Sequence, residues 1–310
     1  MEVYKNIDAL PEFKNAVITI GTFDGVHLGH KQIIEQLLKE AREVAGTPVL
    51  ITFHPHPKQV IASTQKPISI LNSPEEKYEL LHDASISNIV VVPFTKDFAE
   101  QPADNYIKDF LVEKFHPHTI IIGYDHRFGK DRTGDYRLLE NEAGKFGYTV
   151  KEIPEHVLQN VTISSTKIRE ALLNGDIETA NEFLGYNYFF SGLVIEGNKL
   201  GRAIGYPTAN LQIADEQKLI PANGVYAVEV KVEGFDKVYK GMMNIGVRPT
   251  IDGTNRVTEV NIFDFDETIY GKSVKVFLVK RLRSEIKFNG LDALKEQLAK
   301  DKQDTIAALS

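Results

Sequence analysis

Two histidines, His27 and His30, lie three residues apart where a strand-like run, AVITI (16–20), gives way to a stretch with helical spacing. Gly21 allows a sharp turn after the strand, and Gly29 allows a ligand to approach the backbone. A helix N-terminus presents free N–H groups and a positive dipole end, to which two imidazoles add donors. The spacing predicts an anion site, suited to the α-phosphate of a nucleotide, although turn histidines are more often structural or solvated.

Two other polar stretches of the first half are open to more than one interpretation. ISSTKIR (163–169) could be a helix cap alone, since Ser and Thr are preferred there. However, Arg169 lies four residues beyond Ser165, about one helical turn, so cap and cation can face one ligand. TFHPHP (52–57) follows a strand-like run and could be simply a proline-stiffened loop.

In the second half, the candidate chemistry lies in PTAN (207–210) and in an acid within a strand-like run. Thr208 and Asn210, two apart on an extended segment, point the same way, and their oxygens could bind one Mg²⁺ together with phosphates. A capped turn is the plainer interpretation of PTAN. Glu259 lies among apolar residues, although strand glutamates usually face solvent. Glycines spaced by four could form a phosphate-binding flap: Gly197, Gly201 and Gly205.

The elements of the first half predict a parallel sheet covered by helices. Short β-branched runs alternate with helical patterns such as HKQIIEQLLKEAREV (30–44), and the runs are apolar on both faces. The predicted strands are AVITI (16–20), PVLITF (48–53), NIVVVPF (88–94), TIIIG (119–123) and YTVKEI (148–153). Ligands of such sheets bind beyond the carboxyl ends of the strands. We therefore expect the residues after AVITI, LITF and TIII to share one crevice.

The second half changes to period two after about residue 185. GVYAVEVKVEG (224–234) alternates valines with charged residues, which predicts an antiparallel sheet closed into a barrel. One amphipathic helix, GLDALKEQLAKD (290–301), follows the strands. Residues 165–185 are expected to form helices that bridge the halves.

Composition is typical of a globular protein of two domains: 310 residues, 42% hydrophobic and 25% charged. The absence of cysteine excludes disulfides, thiolate zinc sites and thiol nucleophiles. No apolar run is long enough to span a bilayer and no signal peptide is recognised, so a cytoplasmic protein without a membrane partner is expected. The net charge of −7 with scattered Lys and Arg argues against nucleic-acid binding. A homo-oligomer is left open.

The motifs resemble, in order, those of bacterial bifunctional riboflavin kinase/FAD synthetases. In the first half these are GTFDGVHLGH (21–30), TFHPHP (52–57), GYDHRFGKDRTGD (123–135) and ISSTKIR (163–169). In the second half they are GNKLGRAIGYPTANL (197–211), NGVYAV (223–228), MNIGVRPT (243–250), VTEVNIFDFDETIYG (257–271) and LRSEIKF (282–288). The resemblance implies a Rossmann-like HxGH nucleotidyltransferase domain over residues 1–184, with FMN adenylyltransferase activity. Residues 185–310 would be a riboflavin kinase domain, an antiparallel β-barrel with a terminal helix.

The resemblance also implies residue roles in the first domain. The FMN phosphate would attack the α-phosphorus of ATP, giving FAD and pyrophosphate, with His27 and His30 holding the α-phosphate. Further ATP contacts would come from Gly21, Phe23, Asp24, Gly29, Ser164, Ser165, Thr166 and Arg169. Flavin contacts would come from Phe53, His54, Pro57, Asp125, Arg127 and Phe128. The commoner family form has an aromatic residue where His126 stands.

For the barrel, the resemblance implies that riboflavin is phosphorylated to FMN. No G-x-x-x-x-G-K-[ST] motif is present, so the barrel is not a P-loop kinase. Thr208 and Asn210 would bind ATP and Mg²⁺, and Glu259 would be the general base for the ribityl hydroxyl. Gly197, Gly201 and Gly205 would contact the phosphates of ATP. Arg283 is a flavin contact by position, and ATP and Mg²⁺ would serve both steps.

Two alternatives make different predictions. A nucleotidyltransferase with an inactive barrel would make FAD from FMN but no FMN from riboflavin. A flavin-binding regulator or nucleic-acid-binding barrel would show salt-sensitive RNA binding without turnover.

Overall fold

The computed structural model describes residues 1–61, 68–153, 163–197, 200–250 and 253–310, and no side chains at 200, 203, 248–250 and 253–255. Asn198 and Lys199 of the glycine-rich kinase motif lie outside the described residues. The chain divides into two compact units, Met1–Ser164 (unit 1) and Ser165–Ser310 (unit 2).

Unit 1 contains a six-stranded sheet in which each described strand pair is parallel. Its strands are β1 (Glu2–Tyr4), β2 (Ala16–Ile20), β3 (Pro48–His54), β4 (Asn88–Pro93), β5 (Pro117–Gly123) and β6 (Thr149–Ile153), in the order β1-β4-β3-β2-β5-β6. The five predicted strands and the parallel sheet are confirmed. The short edge strand β1 is an addition, since three residues carry too little periodicity to predict a strand.

Helices cover both faces of this sheet, as the apolar runs predict. They are α1 (Leu28–Glu43), α2 (Pro57–Ile61), α3 (Pro74–Asp83), α4 (Lys96–Ala99), α5 (Ala103–Asn105), α6 (Glu113–Phe115) and α7 (Tyr136–Phe146), with a π-helical segment at Tyr106–Val112 between α5 and α6. Successive residues of β2 pack into two different hydrophobic cores, one on each face of the sheet. Val17 packs with Ile34 and Leu37 of α1, whereas Ile18 packs with Phe110 of the π-helical segment.

The strand order places β2 between β3 and β5. From β2 the chain builds the sheet outward through β3 and β4, and later returns to the other side of β2 for β5 and β6. The carboxyl ends of β2 and β5 therefore border the topological switch point, where ligands of open α/β sheets bind. Strands β3, β2 and β5 are neighbours in the sheet, and the single crevice expected beyond their carboxyl ends stays a prediction.

Unit 2 is a closed barrel with helices before and after it. Its elements are α8 (Ser165–Asn174), α9 (Ile177–Leu184), β7 (Phe189–Ile195), α10 (Leu200–Ala203), β8 (Ala209–Gln212), β9 (Gly224–Val232), β10 (Val238–Thr250), β11 (Gly253–Ile262), β12 (Ser273–Arg283) and α11 (Leu291–Ala308). The strand order is β10-β11-β8-β7-β12-β9, with each pair antiparallel. The predicted closed barrel with a terminal helix is confirmed.

Helices α8 and α9 are joined to the barrel by hydrogen bonds. The Asn181 amide donates to the Leu278 carbonyl of β12 at 2.8 Å, and the Ala222 N–H donates to Leu172 O at 2.9 Å. The compact units thus divide before α8. The division into functional domains after residue 184 stays a prediction.

Candidate active sites

The histidine pair occupies the start of α1. His27 is the N-cap residue, and its Nδ1 accepts a hydrogen bond from the His30 N–H at 3.4 Å. The two rings stack, with centroids 3.7 Å apart and planes 16° apart. Phe23 and Val26 adopt left-handed φ angles of 47° and 36°, and both side chains are buried in the core under the loop. The turn therefore anchors its apolar residues and presents both imidazoles at the N-terminus of a helix.

The ring of His30 has an unsatisfied nitrogen. Its Nδ1 is buried and has no hydrogen-bond partner among the described residues. Burial lowers the pKa of His30 well below its usual value, and the neighbouring His27 and Lys77 lower it further. The imidazole is therefore neutral at physiological pH. A buried polar atom of this kind is expected to find its partner in a ligand.

Gly21, Gly29 and Asp24 of this loop each have a structural role in their own surroundings. A Cβ on Gly29 would lie 3.3 Å from the His27 ring, and one on Gly21 would lie 3.1 Å from the Phe23 ring. Asp24 Oδ1 accepts hydrogen bonds from the N–H groups of residues 71 and 72, at 2.9 and 3.4 Å. These residues shape the loop, and their direct contact with ATP stays a prediction.

Lys77 is a buried residue beside the histidine loop that the sequence does not reveal. It lies on α3, is 9% exposed, and its Nζ donates to the Thr22 carbonyl at 3.0 Å, immediately after β2. A lysine on a helical face is normally assigned to solvent. Its burial depends on the β2–β3 pairing, which is not encoded locally.

Beyond β3 and β5, the predicted flavin contacts differ in exposure. His54 is exposed, Pro57 begins α2, and Phe53 packs edge-on against Phe94 with centroids 5.4 Å apart. Asp125 and Arg127 are exposed. Phe128, in contrast, is buried in the core.

The ring of Phe128 stacks on Tyr106 with centroids 4.8 Å apart, and both rings belong to the same hydrophobic core. His126 Nε2 is buried without a hydrogen-bond partner among the described residues. Burial lowers the pKa of His126 to about 4. This ring is therefore neutral, and it lies 5.9 Å from the ring of Phe128, centroid to centroid.

ISSTKIR forms the start of α8 in unit 2. Ser165 is the first helical residue, Ser164 precedes it, and Thr166 is exposed. Arg169 is 8% exposed, which is low for a guanidinium on a surface helix. The predicted contact of this segment with the β- and γ-phosphates of ATP stays a prediction.

Unit 2 contains a cavity of about 280 Å³ in the barrel. Polar and charged residues that line it are Thr208, Asn210, Asn244, Glu259, Asn261, Arg283, Glu285 and Asp301. In register, Glu259 of β11 lies opposite Asn210 of β8 on one side and opposite Asn244 of β10 on the other. Directly paired residues of antiparallel strands share a face, so one carboxylate and two amides form a row on the cavity wall.

Two of the predicted flap glycines fit closely around PTAN. A Cβ on Gly197 would overlap the Asn210 amide, and one on Gly201 would overlap the Tyr206 carbonyl. Gly205 has φ +86° and open space beside it. Asn261 donates to Pro207 O at 2.6 Å, which fixes the start of the motif. The glycines thus allow PTAN to pack tightly, and their phosphate contacts stay predictions.

Arg283 lines the cavity with its guanidinium held by a carboxylate. Its Nε donates to Asp301 Oδ1 at 2.8 Å and its Nη2 to Asp301 Oδ2 at 2.6 Å. Asp301 of α11 is 1% exposed and also accepts from Gln297 Nε2 at 2.8 Å. The pair fastens α11, whose Leu294 and Leu298 line the cavity, to the end of β12. The flavin contact predicted for Arg283 stays a prediction. Asn244 and Asn261 line the cavity and lie within the quoted motifs, where no role was assigned to them, whereas Asp301 lies outside those motifs.

Oxygen donors of the Thr208 and Asn210 side chains suit Mg²⁺ bound with phosphates. Within the described parts of the chain, no group of three or more His, Cys, Asp or Glu could hold a metal ion. The described helices include none long and apolar enough to cross a membrane.

Comparison with known proteins assigns each half of the chain to a family. The FAD synthetase family model matches residues 10–167, and the riboflavin kinase family model matches residues 184–309. Curated relatives named bifunctional riboflavin kinase/FMN adenylyltransferase include that of Haemophilus influenzae, 38% identical over 93% of this chain and 92% of its own length. The Bacillus subtilis relative is 38% identical over 96% and 94%, and the Escherichia coli relative is 36% identical over 96% and 93%.

A solved structure shares the fold across nearly the whole chain. The crystal structure titled macrolide-efflux protein from Streptococcus pneumoniae has a TM-score of 0.88 and 32% identity, covering 98% of both chains. The family models and the curated relatives confirm the predicted resemblance in both halves. This chain belongs to the family of bifunctional riboflavin kinase/FMN adenylyltransferases.

Proposed function

We propose that the barrel cavity phosphorylates riboflavin and that the histidine loop of unit 1 directs adenylyl transfer to FMN. The chain is a bifunctional enzyme of flavin cofactor synthesis, with ATP as the co-substrate of both steps. The first step converts riboflavin and ATP to FMN and ADP. The second converts FMN and ATP to FAD and pyrophosphate. The functional domains are residues 1–184 and 185–310.

For the kinase step, the supporting observation is the row formed by Asn210, Glu259 and Asn244 on the cavity wall. Glu259 accepts the proton of the ribityl terminal hydroxyl as that oxygen attacks the γ-phosphorus of ATP. The amides on either side orient the carboxylate and the incoming hydroxyl. The apolar part of the cavity, which includes Met242, Ile286 and Phe288, suits the isoalloxazine ring.

Thr208 and Asn210 would hold Mg²⁺ together with the phosphates of ATP. Bound there, the ion would neutralise phosphate charge as the γ-phosphoryl group is transferred. Gly197 and Gly201 keep both side chains in place by close packing. Gly205, beside open space, is the flap glycine best placed to follow a ligand.

For adenylyl transfer, the supporting observation is the unpartnered Nδ1 of His30 at the start of α1. The FMN phosphate displaces pyrophosphate directly from the α-phosphorus of ATP, so no covalent enzyme intermediate forms. Stacked His27 and His30, together with the helix N-terminus, stabilise charge that builds on the α-phosphate. Ser164, Ser165, Thr166 and Arg169 hold the leaving pyrophosphate, while Phe53, His54, Pro57, Asp125, Arg127 and Phe128 form the flavin side.

The remaining assignments concern partners. The net charge of −7 and the scattered basic residues support small phosphorylated substrates, with neither nucleic acid nor a membrane as partner. A cytoplasmic location follows from the need for ATP at both sites. Light scattering would establish whether the chain forms a homo-oligomer.

A time course tests the proposal. Purified chain is supplied with riboflavin, ATP and Mg²⁺, and both flavin products are separated and quantified. FMN followed by FAD is the expected result. FAD from supplied FMN without FMN from riboflavin would favour an inactive barrel, and salt-sensitive RNA binding without turnover would favour the regulator.

A further inference from the structure

A buried ammonium group lies at the carboxyl edge of the unit 1 sheet. Lys77 reaches from α3 to the ends of two strands, with Nζ 3.0 Å from the Thr22 carbonyl and 3.5 Å from Thr52 Oγ1. Thr52 Oγ1 donates to the same Thr22 carbonyl at 3.0 Å. Lys77 therefore braces the backbone where β2 leads into the histidine loop.

The described acceptors of this ammonium group are neutral oxygens. Burial lowers the pKa of Lys77, and the Asp24 carboxylate nearby opposes that shift. Asp24 Oδ1 in turn accepts hydrogen bonds from the backbone N–H groups of residues 71 and 72. Keeping a charge buried is costly, and an apolar side chain would fill the same space without that cost.

A bound anion would interact favourably with this arrangement. The positive charge of Lys77 acts on His30, whose pKa it helps to lower. His30 carries the buried nitrogen that has no partner among the described residues. The charge of Lys77, the unpartnered Nδ1 of His30 and the N-terminus of α1 would each favour a bound phosphate.

We propose that Lys77 is a positioning residue of the adenylyltransferase site: it fixes the Thr22 carbonyl and sets a buried positive charge behind His30 for the α-phosphate of ATP. This inference rests on the proposed role of the histidine loop. Lys77 does not touch the reacting atoms. It acts through the loop it braces and through the electrostatic potential at His30.

Lys77→Gln and Lys77→Met test the charge, since glutamine keeps a donor toward Thr22 and methionine keeps neither donor nor charge. We expect both to lower kcat/KM for FAD formation from FMN by about ten- to a hundred-fold. FMN formation in the barrel should stay within two-fold of the parent. Lys39→Met is the matched control, because Lys39 lies on the exposed face of α1 beside Glu43.

Two measurements distinguish the effect of the Lys77 charge from the effect of the hydrogen bonds that hold the Thr22 carbonyl. Thr52→Val removes a hydroxyl that bonds Thr22 while leaving the ammonium group, and should cost FAD formation less than three-fold. In an NMR titration, His30 should protonate at a higher pH in Lys77→Gln, because a positive charge near it has gone. Circular dichroism and melting curves verify that each variant is folded.

Parental FAD formation in folded Lys77→Gln would overturn the inference, as would an equal loss in Thr52→Val. If Lys77→Gln and Lys77→Met do not fold, the Thr52→Val comparison and FAD formation by Lys77→Arg, which keeps the charge, decide it, with parental FAD formation expected. A loss of FAD formation in folded Lys77→Arg would refute the charge role. His30→Ala, measured in parallel, distinguishes the two hypotheses. If this variant retains FAD formation, the proposed role of the histidine loop is wrong, and so is the inference about Lys77.

Discussion

The Arg283–Asp301 pair offers the sharpest quantitative prediction for unit 2. Asp301→Asn keeps the volume of the side chain and removes the charge that receives two hydrogen bonds from Arg283, at 2.8 and 2.6 Å. Breaking a buried ion pair by removing one partner costs about 3 to 5 kcal/mol. Because the Arg283 side chain is 19% exposed, water recovers part of that loss, and we expect about 3 kcal/mol.

This free energy should appear as lower stability of the barrel. At about 3 °C per kcal/mol, the melting temperature of unit 2 falls by about 9 °C, measured by circular dichroism with a parallel urea titration. The KM for riboflavin should rise, because α11 forms part of the cavity wall. FAD formation from supplied FMN should be unchanged.

The control is an exposed ion pair of the same unit. Lys280 and Glu178 lie 3.2 Å apart with side chains 51% and 62% exposed. Glu178→Gln should therefore change stability by less than about 1 kcal/mol. If Asp301→Asn is no less stable than Glu178→Gln, the buried pair does not fasten α11 and the reasoning is wrong.

Four further variants test the assigned roles. Glu259→Ala should abolish FMN formation while FAD formation from FMN survives, and loss of both activities in a folded variant would contradict its role as kinase base. His30→Ala should reduce FAD formation about a hundred-fold with kinase activity intact; unchanged FAD production removes it from the mechanism. Thr208→Ala should raise the Mg²⁺ concentration needed by the kinase, and an identical Mg²⁺ titration would count against that ligand. Gly197→Ala should lower FMN formation at least ten-fold by displacing the Asn210 amide, a steric effect that parental kinase activity would disprove.

The fold was largely predictable because its signals are local. Apolar runs such as residues 16–20 are buried along their whole length, and the alternation in β9 places Val228, Val230 and Val232 in the core. Edge strand β1 and the π-helical segment escaped prediction. Three residues set no period, and a π-helix differs from an α-helix by hydrogen-bond register that composition does not encode.

The candidate site residues were predictable where they lie close together in the sequence. His27, His30, Thr208 and Asn210 lie in short motifs, and the resemblance gave each a proposed role. Lys77 and Asp301 were missed because each acquires its environment from another element: β2 and β3 bury the lysine, and β12 supplies the guanidinium for the aspartate. Such pairings arise from tertiary packing, and no single segment carries them.

Asn210, Glu259 and Asn244, the row across β8, β11 and β10, place the proposed kinase residues next to the pairing of β8 with β11. Two register pairs join β8 to β11, Glu259 with Asn210 and Val260 with Ala209, whereas β10 and β11 are paired along their length. Glu259, the proposed base, and Asn210, a proposed magnesium ligand, therefore face each other across the shortest pairing among the described strands of the barrel. A slip of one residue there would turn Asn210 to the opposite face. The proposed kinase site therefore depends on the correct register of this short pairing.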